Sequence, residues 1–270
     1  MQRIAPLGLS EPWDNTGLLL GDPHGKVRRL MTCLTLTPES VAEAIEGGAQ
    51  MVIVHHPLPF KPLSKITSQS YTGALIWSLA TSGISVYSPH TAWDSASHGI
   101  NARLARLLLL EKCQPLVPAD QTNWPGLGAG RMGELSRPVN LVEIIGTLSA
   151  ALPGCRPRGV EPVLSKINQA TPVTLRSSGR ISRVAICCGS GGSLLSHAVA
   201  AKCDLFLTGE ATFHNCLEAQ AAGIGLLLLG HFASERFAME QLAKELSADY
   251  TTLFVWASQS ERDPVKNFDC

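Results

Sequence analysis

The chain is predicted to be an α/β protein built from two α/β halves, on three observations. Short apolar runs of strand length stop abruptly at small or polar residues, as buried parallel strands do. Amphipathic stretches of helical period lie between them. The 270 residues are 45% apolar and 16% charged, which is ample for packed cores and excludes a disordered chain.

Met51 to Val54 reads as the first clear strand and stops at His55-His56-Pro57, where proline ends pairing. Ser85 to Ser88 stops at Pro89-His90. Later, Val184 to Cys187 runs into Gly189-Ser-Gly-Gly192, Leu205 to Leu207 into Thr208-Gly209-Glu210, and Leu226 to Leu229 into Gly230-His231. Helical patterns cover Pro38 to Gly47, Gly73 to Ser82, Ser193 to Lys202, His214 to Ala222 and Ser234 to Leu246. The middle is rich in proline and glycine and holds one helical pattern, Leu141 to Leu152. The expected organisation is a first lobe over residues 1–115, a connecting segment over 116–180 and a second lobe over 181–270.

Charge narrows the partners. With 22 basic and 22 acidic side chains the formal net charge is zero, and the longest basic run is Arg28-Arg29. Neither nucleic acid nor an anionic membrane surface is expected as a partner, and no apolar run approaches the twenty residues of a bilayer span. The eight cysteines, at 33, 113, 155, 187, 188, 203, 216 and 270, contain no Cys-x-x-Cys and follow no secretory leader. They point to a reducing cytoplasm rather than a disulfide framework or a thiolate zinc site.

Ligands of doubly wound sheets gather at the carboxyl ends of strands, and histidines 55, 56, 90, 214 and 231 follow apparent strands. Adjacent side chains leaving a strand point apart, so His55 and His56 suit two neighbouring cations; a pair capping the strand by hydrogen bonds is the alternative. His231 and Glu235 lie four apart, and on a helix they share a face as paired ligands do, or Glu235 merely complements the helix dipole. In His90-Thr-Ala-Trp-Asp94, Asp94 is able to bridge two cations and His90 to bind or to support from behind; a turn aspartate is the alternative. Gly189 to Gly192 lacks the Gly-x-Gly-x-x-Gly spacing, which favours tight strand-to-helix packing over dinucleotide binding. His24, His98 and His197 read as structural or solvent-facing, and no Gly-x-Ser-x-Gly elbow occurs.

Taken in order, Trp13-Asp-Asn-Thr-Gly-Leu-Leu-Leu-Gly21, His55-His56-Pro57, His90-Thr-Ala-Trp-Asp94, Gly128-Ala-Gly-Arg-Met-Gly-Glu-Leu135, Gly189-Ser-Gly-Gly192, Asp204-Leu-Phe-Leu-Thr-Gly-Glu210 and Gly230-His-Phe-Ala-Ser-Glu235 resemble the Nif-three-like family. Its bacterial members are called GTP cyclohydrolase 1 type 2 homologues, and the match runs from about residue 5 to residue 264. The resemblance implies two similar α/β lobes, a dimetal site in the crevice between them and a toroidal homohexamer. It places the metal ligands on His55, His56, Asp94, His231 and Glu235, with Glu210 and His90 as supporting or catalytic candidates. Members usually carry a helix before the Trp-Asp-Asn loop that this chain mostly lacks, which implies a truncation or a late start codon. The domain that some relatives insert between the lobes is also missing.

Two divalent cations bring four positive charges, of which Asp94 and Glu235 offset two, so a small anionic ligand such as a phosphate is expected. Histidine and carboxylate donors suit zinc, iron, manganese or nickel better than calcium. The expected function is metal-dependent hydrolysis of a nucleotide-like or phosphorylated small molecule, GTP ring opening being the version implied by the family name, with Glu210 relaying protons. The alternative is a non-catalytic metal-handling or regulatory ring that works through other proteins.

Overall fold

A computed structural model describes residues 1–162 and 179–266. In chain order it begins with β1 (Gly17–Leu20), β2 (Arg29–Cys33), α1 (Pro38–Glu46), β3 (Met51–Val54), α2 (Tyr71–Thr81), β4 (Ser85–Ser88) and α3 (His90–Ser95). Next come α4 (Ile100–Leu107), β5 (Glu111–Gln114), β6 (Val117–Pro118), β7 (Gly128–Ala129), β8 (Arg131–Val139), α5 (Leu141–Ala151) and β9 (Arg158–Val160). The remainder is β10 (Ile181–Cys187), α6 (Leu195–Ala200), β11 (Leu205–Thr208), α7 (Phe213–Ala222), β12 (Gly225–Leu228), α8 (His231–Asp249) and β13 (Phe254–Ala257). The chain divides into two compact units, one made of Met1–Trp93 with Arg236–Cys270 and one made of Asp94–Glu235.

The first unit holds a five-stranded sheet in the order β1-β4-β3-β2-β13, parallel except for β1 at its edge. Alternation along β2 decides its two faces. Met31 and Cys33 join Val52, Val54 and Val86 under Val41 and Ala44 of α1 and Leu75 and Leu79 of α2. Thr32, between them, donates its hydroxyl to the Met239 carbonyl of α8 at 2.9 Å, so helices cover both faces. α1 starts cleanly because Thr37 and Ser40 close a capping box ahead of Pro38 at the first turn.

The second unit holds a six-stranded sheet in the order β5-β8-β10-β11-β12-β9, with β10, β11 and β12 parallel and the outer pairings antiparallel. Ala185, Phe206, Leu226 and Leu228 pack beneath Leu195 and Ala198 of α6 and Ala219 of α7. α7 is capped by Thr212 and stops at Gly223, whose φ of 73° is the left-handed turn that glycine adopts without a Cβ clash.

The strands and helices expected from periodicity are present, most within a few residues of the expected ends. The boundaries at 115/116 and 180/181 are not those of the compact units. Residues 236–257 return to the first unit because β13 finds its parallel partner in β2, with Val255 beside Leu30 and Trp256 beside Met31. Residues 94–115 belong to the second unit. The expected connecting segment also contributes β8, which pairs with both β5 and β10. Its prolines and glycines concealed that strand, which carries Pro138 near its end. Residues 163–178 of that segment, and Cys270, lie outside the described residues.

Candidate metal centre

In the first unit the imidazoles of His55, His56 and His90 stand at the carboxyl ends of β3 and β4. One nitrogen from each lies within 4.8 Å of the others. His55 is fully buried, its ring centroid 5.1 Å from those of His56 and His90 and 6.0 Å from that of Trp93. The backbone continues the sheet beyond Val54, with the N–H of His55 donating to the Cys33 carbonyl and that of His56 to the Leu34 carbonyl. His90 opens α3 at a φ of 28°, a backbone region that non-glycine residues rarely occupy and that recurs at functional sites.

Two of the three rings are braced through Nδ1. His90 Nδ1 is 2.7 Å from Asp14 Oδ1, and His56 Nδ1 is 2.7 Å from the Thr35 hydroxyl. A carboxylate on Nδ1 fixes the tautomer that presents the Nε2 lone pair to a cation. Asp14 is itself held by the N–H and hydroxyl of Thr91. Burial pushes its pKa up, but hydrogen bonds from His90 and Thr91 outweigh this and leave it below the usual carboxylate range. Thr35 is held in turn, since Glu261 Oε1 accepts the N–H groups of Leu34 and Thr35 at 2.8 Å and Glu261 Oε2 meets Arg236 Nε at 2.8 Å. Asp14→Asn keeps the shape and removes the charge behind His90. The variant is expected to bind divalent metal about tenfold more weakly in a chelator-competition titration; unchanged affinity would take Asp14 out of the site.

In the second unit the candidates lie at the ends of β10, β11 and β12. His231 Nε2 is 3.1 Å from Glu235 Oε2 on the next turn of α8, and its Nδ1 is 2.8 Å from Glu210 Oε1. Burial lowers the pKa of His231, and the hydrogen bonds and charges of Glu235 and Glu210 outweigh it, pushing it up to about 9. The Ser190 hydroxyl and His231 both bond to Glu210 and hold its pKa low. Asp94 accepts the Cys188 thiol at 3.2 Å. Burial, then the charges of Asp94 and Glu235, push that thiol's pKa well above its ordinary range.

The glycines after β10 are there for space. Gly189 has a φ of 58°, and a Cβ on it would fall on Glu235 Oε1; one on Gly191 or Gly192 would crowd Thr208 or Asn215. This bears out tight packing as their role. Gly189→Ala is expected to lower stability by about 1–3 kcal/mol, read by urea unfolding, and to displace Glu235. An unchanged unfolding midpoint would remove the steric argument.

Imidazole and carboxylate groups of this kind fit a divalent transition metal, and the donor set is unsuited to a closed thiolate site. Three histidines come together in the first unit. In the second, His231, Glu235 and Glu210 are directly bonded, with Asp94 and Glu235 both acting on Cys188. One nitrogen of His90, the supporting candidate, lies within 4.8 Å of one from each of His55 and His56. His214, on the exposed side of α7, packs on Phe213. Sequence reasoning missed Asp14, Thr35, Glu261 and Cys188; Asp14 alone carried a signal, inside the Trp13-Asp-Asn loop. Among the described residues, no helix is long and apolar enough to cross a membrane.

Residues 1–264 match the family described as Duf34/NIF3 (NGG1p interacting factor 3). The chain is 31% identical to a GTP cyclohydrolase 1 type 2 homolog of Clostridium perfringens, covering 98% of this chain and 96% of that one. It is 33% identical to NIF3-like protein 1 of Drosophila melanogaster, covering 98% and 86%. A crystal structure of a Staphylococcus aureus protein superposes with a TM-score of 0.79 at 26% identity, covering 99% of this chain and 96% of the other. A Bacillus cereus protein related to NIF3 gives 0.78 at 20% identity, over 99% and 96%, a likeness of fold.

Proposed function

Since the chain belongs to the Duf34/NIF3 family, we propose that His55, His56, Asp94, His231 and Glu235 together bind two divalent cations, and that the protein is a metal-dependent hydrolase of a nucleotide-like or phosphorylated small molecule. The observation that carries this reading is the cluster of three imidazoles at the strand ends of the first unit, two of them braced through Nδ1.

When bound, two such cations acidify water and polarise the bond to be broken. The chain's own residues do the rest. Asp14 holds His90 in one tautomer and Thr35 fixes the orientation of the His56 ring, and the excess positive charge of bound cations would attract an anionic group of the substrate. Glu210, bonded to both Ser190 and His231, is in this reading the group that would take a proton from the attacking water and return it to the leaving group. GTP ring opening is the specific version suggested by the names of relatives.

Metal-loaded protein is expected to turn over GTP or a phosphorylated analogue, with formate release as the readout for ring opening. Absence of formate, with metal content intact in the wild type and lost in Glu235→Ala, would end the cyclohydrolase version and keep the metal site. A second reading, a non-catalytic metal-handling ring, draws on the family's description as an interacting factor. Under either reading the toroidal homohexamer is tested by light scattering; a particle of one 28.8 kDa chain would remove it.

A further inference from the structure

Resting on the reading of Asp94 as a metal ligand, we propose that Cys188 is a positioning residue. Its thiol anchors one oxygen of the Asp94 carboxylate, while Asn101 and Arg131 anchor the backbone that carries it. The contacts form a closed ring within the second unit. Cys188 Sγ donates to Asp94 Oδ1 at 3.2 Å, the Cys188 N–H donates to Asn101 Oδ1 at 2.7 Å, and Asn101 Nδ2 donates to the Asp94 carbonyl at 3.2 Å. The next two carbonyls, of Ser95 and Ala96, accept from Arg131 Nη2 at 2.8 and 2.7 Å. Arg131 Nη1 binds the Gly128 and Gly130 carbonyls at 2.8 and 2.7 Å.

Three successive carbonyls at the end of α3 are thus satisfied by the side chains of Asn101 and Arg131, where a helix end would otherwise leave them without donors. Cys188, Asn101 and Arg131 are all buried, so the ring is built into the core. Fixing the backbone and one carboxylate oxygen of Asp94 sets the heading of the other oxygen before any cation arrives. A thiol suits this task because it is a weak donor: it orients the carboxylate while drawing little of the negative charge that a cation needs.

The test titrates full-length apo protein with Co(II), following the visible absorption bands and measuring affinity by chelator competition. Cys188→Ala and the volume-keeping Cys188→Val are expected to weaken binding of one ion about tenfold and to alter its spectrum. Cys188→Ser, which restores a donor, is expected to recover most of the affinity; should the apolar variants fail to fold, Asn101→Ala is expected to weaken the same ion. Wild-type affinity and spectrum in Cys188→Ala or Cys188→Val would overturn the positioning role. So would a sulfur-to-cobalt charge-transfer band in the wild type, which would make Cys188 a ligand. If the folded wild type takes up no cobalt at all, the dimetal reading itself fails, which is a different result from two bound ions indifferent to residue 188.

Discussion

His55→Ala is expected to lose most of its bound metal and to be less stable even without metal. The ring is fully buried and wedged against His56, His90 and Trp93. Truncation therefore leaves a cavity, costing about 2–4 kcal/mol. The backbone bonds to Cys33 and from the Ser88 hydroxyl involve main-chain atoms of residue 55 and survive, so the strand end should persist. A bound cation adds a separate contribution: at about 100 times its Kd, it stabilises the native state by about 2.7 kcal/mol. Urea unfolding with and without metal separates the two. The variant is expected to unfold earlier in both conditions and to show no metal-induced stabilisation. Full metal content by elemental analysis in His55→Ala would sink the assignment of this residue.

The second large effect is on pH. In the apo protein the His231 pKa is pushed up to about 9, against about 6.5 in an unfolded chain. A raised folded pKa means that the native state holds the proton more tightly. Its stabilising contribution is complete below about pH 6.5 and disappears as pH rises through about 9. Metal binding runs the other way, because the cation must displace that proton. Affinity at the ion bound by His231 is expected to rise about tenfold per pH unit between roughly 7 and 9 and then level off. Glu210→Gln removes one of the two carboxylates that raise the pKa, so its curve should level off at lower pH. Calorimetric titration with Mn(II) across this range checks both curves; a flat wild-type profile would show that His231 is not a ligand.

Much of the fold was legible because it is written locally. Met51 to Val54 and Ser85 to Ser88 are strands whose limits follow from apolar runs ending at His55-His56-Pro57 and Pro89-His90, and both have those limits in the structure. Thr37-Pro38 and Thr212 start helices by capping chemistry that needs only the next few residues. The histidines at strand ends could be picked out for the same reason, since the carboxyl edge of a parallel strand is defined by where the strand stops.

What surrounds those histidines was not legible. Asp14 reaches His90 across 76 residues, Glu261 reaches the Thr35 backbone across 226, and Cys188 reaches Asp94 across 94. None of these pairs carries a periodicity or spacing that a local pattern could reveal. The place of β13 was not legible for a related reason: a strand goes to the sheet edge that offers matching hydrogen bonds and burial, which for β13 is β2.

The sequence by itself determined an α/β chain with imidazoles and carboxylates at strand ends, because strand limits, caps and turn residues act over a few positions. Only the tertiary structure decided which side chains brace those groups and which unit receives the last strand, because contacts between residues tens to hundreds of positions apart depend on packing that no short stretch of sequence encodes.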